Sequence, residues 1–288
     1  MARPKHLVLL ALLVAACQAS PTPQVVPRPP TATAGFLPAA CSSIGVEGRS
    51  ATIHLPAGRH GPLPLVLALH GIGANGHRLE LDSGFDAVAD RQGAVAVYPD
   101  ALKGQWNQAP AVMGSVPDDV GFLVQLVGRL VAAGCGDPQR VYAIGLSNGG
   151  GMAYRLACDA GGRVAAIALV SADYLGSDRC SRSRPVPAIA FHGTADTTVP
   201  MSGVTYGTSV HPPVVSWATG WAVRNGCTVT PVRSAVGGAQ VLRWQECHQG
   251  ASVMLYEVTG GTHEWFKAPI DANSLSWQFF AGQSLSSQ

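Results

Sequence analysis

Charged residues are scarce in this chain. They make up 12% of its 288 residues, about half the usual share for a soluble protein, and the formal net charge is only +2. Lysine occurs only as Lys5, Lys103 and Lys267, and the arginines are scattered. No basic stripe with interleaved aromatic residues can be drawn, so we expect no nucleic-acid partner. The composition favours a neutral substrate.

Motifs for metal and redox sites are also missing. None of the seven cysteines stands in a Cys-x-x-Cys pair, which argues against a zinc or thioredoxin-like site. The glycine-rich segment after His70 lacks a Walker lysine, so a phosphate-binding turn is disfavoured there. We expect neither a metal nor an organic cofactor, and we infer no obligate protein partner.

The first 17 residues are typical of an export signal. Arg3 and Lys5 supply a positive start, and an apolar run too short to span a bilayer follows them. The run ends in Leu-Val-Ala-Ala before Cys17, which resembles a bacterial lipobox. We predict a lipid on Cys17 and a membrane-anchored lipoprotein that faces the periplasm or the cell exterior. An ordinary cleavage site would instead release a secreted protein.

Residues 18–38 are rich in proline and almost uncharged, which predicts an extended linker rather than a packed core. Residues 39–288 then suit one large domain. If Cys17 carries lipid, six cysteines remain in an oxidising compartment, and the sequence alone allows 15 pairings. Local spacing suggests Cys158–Cys180, and Cys227–Cys247 around an apparent β-excursion, which leaves Cys41–Cys135.

Short apolar runs alternate with helical patterns from Ser50 onward. The later runs are almost continuously apolar, which indicates strands buried on both faces of a parallel sheet. We predict an α/β fold with a doubly wound, mostly parallel sheet and helices on both faces. The predicted strands are 51–55, 65–69, 94–98, 141–145, 165–170, 188–191 and 252–258. The predicted helices are 80–92, 119–133 capped by Asp118, 150–160, 214–225 and 273–282.

A serine lies where one of these strands meets a helix. The run Gly145-Leu146-Ser147-Asn148-Gly149 has the form G-x-S-x-G between an apolar strand and a helical pattern. Strand and helix crowd together at such a nucleophile elbow, so glycines are needed two residues before and after the serine. The context predicts an α/β-hydrolase with Ser147 as the nucleophile.

A serine hydroxyl needs a base held by a carboxylate, and on this fold the chain order is serine, acid, histidine. Asp196 follows a downstream apolar strand and is the predicted acid, with Asp173 as the alternative. His263 follows the strand at 252–258 and two glycines, and it is the predicted base. His211 and His248 lie in less regular surroundings and are interpreted as surface histidines.

An acyl-transfer site also needs donors for the developing oxyanion. The strand at 65–69 opens into a glycine-rich loop, and such a loop supplies one donor while the residue after the nucleophile supplies the other. We predict the amides of Ile72 and Asn148 as this pair.

At these residues the chain resembles the esterase group that includes polyhydroxybutyrate depolymerases, feruloyl esterases and acetylxylan esterases, in particular its exported bacterial lipoproteins. The departure is Thr262, which stands where the group usually has a glycine. The matching segments are Leu69-His70-Gly71 with Asn75-Gly76, Tyr98-Pro99-Asp100 with Trp106-Asn107, Asp118 to Phe122, Gly145 to Gly150, His192 to Asp196 with Val199-Pro200, and Gly260 to Trp265.

The resemblance implies a serine esterase that hydrolyses small or oligomeric carboxylic esters through an acyl-enzyme. It also implies that Trp106 and His70 line the substrate site, although a core tryptophan is an alternative, and that Asp119 caps a helix. A peptidase of the same fold and an inactive lipid-anchored binding protein remain as other interpretations.

Overall fold

The computed structural model describes residues 39–42, 44–46, 48–114, 117–175, 180, 184–207 and 209–285. They belong to the compact unit Ala34–Gln288. The predicted export signal, Cys17 and the linker lie outside the described residues. Among the described helices, none combines the length and apolar character that crossing a bilayer requires.

Nine strands form one sheet in the order β1-β3-β2-β4-β5-β6-β11-β10-β9, and β7 pairs with β8 in a separate ribbon. The six strands from β3 to β11 in this order are parallel, and β1, β10 and β9 are antiparallel additions at the two edges. The strands are β1 Ala51–His54, β2 Leu63–Leu69, β3 Val95–Pro99, β4 Gly136–Leu146, β5 Ala166–Val170, β6 Ala188–Gly193, β7 Val204–Tyr206, β8 Ser209–His211, β9 Val232–Val236, β10 Ala239–Trp244 and β11 Val253–Val258.

All seven predicted strands are present, and the mostly parallel sheet is confirmed. The apparent excursion between the last two cysteines is the hairpin β9–β10. Sequence patterning could not delimit β9, because all five of its residues are exposed and no apolar alternation marks it.

The described residues include seven α-helices, six between strands and one after β11. They are α1 Gly76–Ser83, α2 Asp86–Gln92, α3 Pro110–Met113, α4 Asp119–Ala132, α5 Asn148–Ala160, α6 Val214–Arg224 and α7 Ala272–Ala281. The single helix predicted at 80–92 is wrong. Gly84 adopts a left-handed conformation, with φ of 62°, and separates α1 from α2.

The core lies on both faces of the sheet. In β2, Leu65 and Leu67 pack into one cluster with α4, α5 and α6, whereas Val66 and Ala68 pack into the other with α1, α2 and α7. Successive side chains of a strand point to opposite faces, so a strand covered by helices on both sides must be apolar throughout. This explains the continuous apolar runs in the sequence.

Three disulfides stabilise this arrangement, and their partners are those predicted. They are Cys41–Cys135, Cys158–Cys180 and Cys227–Cys247. The first joins the start of the described chain to the segment before β4, and the last closes the base of the β9–β10 hairpin.

Candidate active site

Ser147 stands in a sharp turn between β4 and α5. Its φ of 53° and ψ of −121° are unusual for a residue with a side chain. A Cβ on Gly145 would lie 2.2 Å from the Gly149 carbonyl oxygen, and a Cβ on Gly149 would lie 2.1 Å from that of Leu69. Both glycines are therefore required by close backbone approach, as the G-x-S-x-G interpretation expects.

The turn places Ser147 at the carboxyl edge of the parallel strands. Its amide donates to the carbonyl oxygen of Val170, the last residue of β5, over 3.0 Å. A Cβ on Gly71, just after β2, would lie 3.5 Å from the Ser147 Cβ. The loops after β2 and β5 thus flank the serine on both sides.

Asp196 and His263 meet at the same edge. Nδ1 of His263 lies 2.8 Å from Oδ2 of Asp196 in a hydrogen bond that spans 67 positions of sequence. The aspartate side chain is fully buried, and that of the histidine is 20% exposed. Because a carboxylate accepts, Nδ1 carries the proton and Nε2 is left as the basic nitrogen. The close approach of Gly193 and Gly261 lets the two loops come together.

The Asp196 carboxylate is held by several donors. Burial alone would raise its pKa, but hydrogen bonds from His192, from the Val199 amide and from His263 outweigh this effect and lower the pKa to about 2. Oδ1 accepts from the amides of Thr198 and Val199 over 2.9 and 2.8 Å. The group is therefore a fixed negative charge at any working pH, suited to orient a histidine.

The loop that carries His263 also contacts the residue next to the strand end that binds Ser147. Ser171, next after the Val170 that binds the Ser147 amide, donates from its hydroxyl to the carbonyl oxygen of Glu264 over 3.0 Å. Glu264, which follows His263, is therefore bound by Ser171, and the Ser147 amide is bound by the adjacent Val170. This brings the predicted Ser147, Asp196 and His263 to one region of the sheet edge.

The loop after β2 is rigid where an oxyanion site would need it. His70 is fully buried, and its Nδ1 donates to the Gly71 carbonyl while its Nε2 accepts from the Ala101 amide. Burial lowers the pKa of His70, in opposition to its hydrogen bond to Gly71, so the ring is neutral in the one tautomer that satisfies both contacts. Among the described residues the Ile72 amide has no hydrogen-bond acceptor.

Asn148 and Trp106 lock the other side of this loop. The Asn148 side chain donates to the Trp106 carbonyl over 3.0 Å and accepts from the Trp106 amide over 2.8 Å. The Trp106 indole in turn donates to the His70 carbonyl over 3.0 Å. As the first residue of α5, Asn148 has a backbone amide without an intrahelical acceptor, which leaves it available to a ligand.

The predicted contact of Trp106 and His70 with substrate is wrong for this structure. Both side chains have no exposed surface. They are positioning residues that fix the loop carrying Ile72. Nothing in the sequence separates the two roles, because an indole suits a substrate groove and a core equally well.

The predicted cap of α4 by Asp118 is confirmed, because the Asp118 carboxylate accepts from the Gly121 amide over 2.9 Å. The capping role predicted for Asp119 is wrong. Asp119 is fully buried, lies 2.7 Å from the Arg49 guanidinium and accepts from the Asn107 amide. It is a buried structural charge beneath the Trp106 loop.

Asp173 is not the partner of His263. Its Oδ1 lies 2.7 Å from Nδ1 of His211, and it also accepts from the Gln108 side chain. His211 is therefore a half-buried histidine paired with a carboxylate, and the interpretation of it as a plain surface histidine is wrong. His248 is exposed, as expected.

The loop after β2 also fits the pattern G-x-G-x-x-G from Gly71 to Gly76, a match that the sequence interpretation missed. In a dinucleotide site the helix amides bind phosphate. Here the Asp100 carboxylate accepts from the Gly76 amide over 2.7 Å and fills that position. Packing explains the glycine, because a Cβ there would lie 2.1 Å from the Tyr98 carbonyl oxygen. Within the described part of the chain, no three His, Cys, Asp or Glu side chains are grouped as metal ligands.

Comparison with known proteins agrees with this geometry. Residues 49–191 match the family model described as esterase PHB depolymerase. The chain is 28% identical to feruloyl esterase B of Piromyces equi, over 75% of this chain but only 42% of that protein's length. It is 31% identical to the putative esterase NocK of Nocardia uniformis subsp. tsuyamanensis, over 73% of this chain and 67% of that protein.

Among solved structures, the acetyl xylan esterase from Aspergillus awamori superposes with a TM-score of 0.63 at 16% identity, over 81% of this chain and 94% of that one. This likeness confirms the predicted α/β-hydrolase fold. The fold and the two sequence relationships agree with the resemblance seen in the motifs. The chain therefore belongs to the PHB depolymerase family of esterases.

Proposed function

We propose that this protein is a serine esterase that hydrolyses carboxylic esters through an acyl-enzyme. Ser147 is the nucleophile, His263 is the general base and Asp196 orients the imidazole. The observation that carries this proposal is the 2.8 Å hydrogen bond between His263 and Asp196 at the sheet edge where the strained turn presents Ser147.

The chemistry follows from the tautomer. With Nδ1–H directed at Asp196, Nε2 of His263 is free to take the Ser147 proton as its Oγ attacks the ester carbonyl carbon. The tetrahedral intermediate collapses when the imidazolium passes that proton to the leaving alkoxide, which gives the alcohol and an acyl-serine. Water, activated by the same nitrogen, then attacks the acyl-serine and releases the acid.

The amides of Ile72 and Asn148 are the proposed oxyanion donors. Each lies next to a glycine at a close approach, Ile72 next to Gly71 beside Ser147 and Asn148 next to Gly149 against the Leu69 carbonyl, and neither amide is used by the fold. The surrounding loop is held by His70, Trp106 and the Asn148 side chain, so little reorganisation is needed when charge develops. One such donor is worth about 2.7–4 kcal/mol of transition-state stabilisation.

The proposed substrates are esters of the kinds that the relatives' names mention. They are hydroxyalkanoate oligomers and acetyl or feruloyl esters. We propose other short-chain acyl esters as further substrates. No metal or organic cofactor takes part in the proposed reaction, since the chain's own serine, imidazole and amides supply each step.

We also propose that the protein is exported and anchored by a lipid on Cys17, with residues 18–38 as a tether. Three disulfides support an oxidising compartment. Metabolic labelling with a radioactive fatty acid, with and without Cys17→Ser, tests the anchor. An unlabelled parent protein released into the medium would contradict it and favour plain secretion.

Hydrolysis of p-nitrophenyl acetate and butyrate by the parent and by Ser147→Ala tests the catalytic assignment. We expect the variant to lose activity and to escape labelling by a fluorophosphonate probe, while its unfolding transition stays in place. Unchanged activity in Ser147→Ala would remove the nucleophile. A folded parent that neither labels nor turns over would favour the inactive binding protein, and cleavage of peptides rather than esters would favour the peptidase.

A further inference from the structure

A second histidine–carboxylate pair lies beside the nucleophile. Asp173 follows β5, and its amide donates to the Ser147 carbonyl oxygen over 3.0 Å. Nδ1 of His211 lies 2.7 Å from Oδ1 of Asp173. The proposed mechanism uses neither side chain.

The residues around this pair come from three separate segments of the chain. Gln108 comes from the loop after β3, Asp173 from the loop after β5, and His211 from the β7–β8 ribbon after β6. The Gln108 side chain is almost fully buried and donates to Oδ2 of Asp173. The carboxylate is thus fixed between Gln108 and His211, and its backbone is fixed to the nucleophile residue.

The two ring nitrogens of His211 differ, because Nδ1 faces Asp173 and Nε2 can bind a ligand. Nδ1 is buried and close to the carboxylate, whereas the side chain as a whole keeps 11% of its surface exposed. The N–H is not aimed straight at the oxygen, so the contact is mainly electrostatic. Two lone pairs repel at 2.7 Å, however, so Nδ1 carries the proton. Nε2 has no partner among the described residues.

We propose that His211 recognises a hydroxyl group of the ester substrate through Nε2, which makes it a specificity-determining residue of the site. This rests on the proposed esterase function. A hydroxyl can donate to a bare Nε2 and accept from a protonated one, so it fits the ring in either protonation state. A substrate carboxylate is disfavoured, because the Asp173 carboxylate already lies 2.7 Å from the other ring nitrogen.

The Tyr206 ring lies next to His211 on the same ribbon. It packs edge-on against His211 with ring centroids 5.7 Å apart, and 56% of the residue is exposed. An exposed aromatic face next to a polar nitrogen suits a substrate that combines an apolar chain or ring with a hydroxyl.

Three pairs of esters test the proposal, each with and without a hydroxyl. Ethyl 3-hydroxybutyrate against ethyl butyrate places it near the acyl carbonyl. Methyl 4-hydroxycinnamate against methyl cinnamate places it at the far end of the acyl group. 2-Hydroxyethyl butyrate against propyl butyrate places it on the alcohol. The readout is the ratio of kcat/KM within each pair, which a loss of folded enzyme does not alter.

We expect the parent to prefer the hydroxyl ester by about fivefold in one of the pairs, the usual contribution of one hydrogen bond at a partly exposed site. His211→Asn keeps an N–H for Asp173 but has no atom at the Nε2 position, so the preference falls to about one. His211→Gln reaches that position and restores part of it. His77→Asn, at a surface histidine of α1 that is 68% exposed, leaves the ratio unchanged.

No hydroxyl preference in any pair, or a preference that persists in His211→Asn, would overturn the proposal. The esterase assignment is judged separately by p-nitrophenyl acetate and Ser147→Ala. An active parent with no hydroxyl preference refutes only the role of His211, whereas an inactive parent refutes the proposed function itself.

Discussion

The buried ion pair between Arg49 and Asp119 allows a sharp test of how the core supports the site. Their side chains are 6% and 0% exposed, and Nη1 of Arg49 lies 2.7 Å from Oδ1 of Asp119. The guanidinium also packs over the Phe122 ring, 3.6 Å from its centroid. Removal of Asp119 leaves this cation buried without its counter-charge, and such a loss costs about 3–5 kcal/mol.

We therefore expect Asp119→Ala to lower the free energy of unfolding by about 3–5 kcal/mol, measured by urea denaturation with linear extrapolation. The Asn107 amide also loses its acceptor, and this residue follows the Trp106 that Asn148 clamps. The kcat of the remaining folded enzyme should fall as well, because the loop that carries Trp106 loosens.

The control is the preceding residue, Asp118, which is exposed and caps α4. Asp118→Ala should cost only about 1 kcal/mol and leave kcat unchanged. The double replacement Arg49→Met with Asp119→Leu should recover most of the lost stability, because a buried ion pair exchanged for apolar side chains is close to neutral. A cost for Asp119→Ala no larger than that for Asp118→Ala would refute the reasoning.

Three further predictions concern the site itself. Trp106→Phe removes the indole donor to the His70 carbonyl. In steady-state kinetics it should lower kcat by about 10- to 100-fold with little change in KM. An unchanged kcat would contradict the positioning role of Trp106. Asp196→Asn should lower kcat by about 10⁴-fold. Because the Asp196 pKa is lowered to about 2, its contribution to stability is complete above about pH 4 and is lost as the pH falls through about 2, so parent and variant should converge in acid unfolding. Gly149→Ala should abolish folding or activity, since its Cβ would lie 2.1 Å from the Leu69 carbonyl oxygen. The control is Gly128→Ala, where a Cβ in α4 meets open space. This variant should raise the free energy of unfolding by up to about 1 kcal/mol, measured by thermal unfolding.

The sequence was sufficient to predict two kinds of feature. One is required by close backbone packing, and the other by burial on both faces of the sheet. The G-x-S-x-G turn is of the first kind, because its glycines are required wherever a strand and helix cross so closely. The loops of Asp196 and His263 could be placed because each follows a continuous apolar strand, and parallel strands end at a common edge. The distance between Ser147 and His263 is a matter of side-chain geometry that no such pattern encodes.

Other features depend on contacts between residues distant in sequence. Asp118 and Asp119 are neighbours with the same side chain, and only the approach of Arg49, some 70 positions earlier, makes the second a buried charge. His211 gave no signal because its partner Asp173 precedes it by 38 residues and lies on another loop. A histidine in a proline-flanked loop is usually exposed, and only tertiary structure overrides that expectation.

The site thus has two sides with different tolerance to change. On the oxyanion side, His70, Trp106 and Asn148 are buried and their polar groups satisfy one another, so substitution there costs stability and rate together. On the other side, Tyr206 and His211 sit on a short two-stranded ribbon outside the main sheet. Changes there leave the core contacts of the sheet intact. Differences in substrate preference should therefore map to this ribbon, and a substitution in it that alters the ester selectivity should move the unfolding midpoint little.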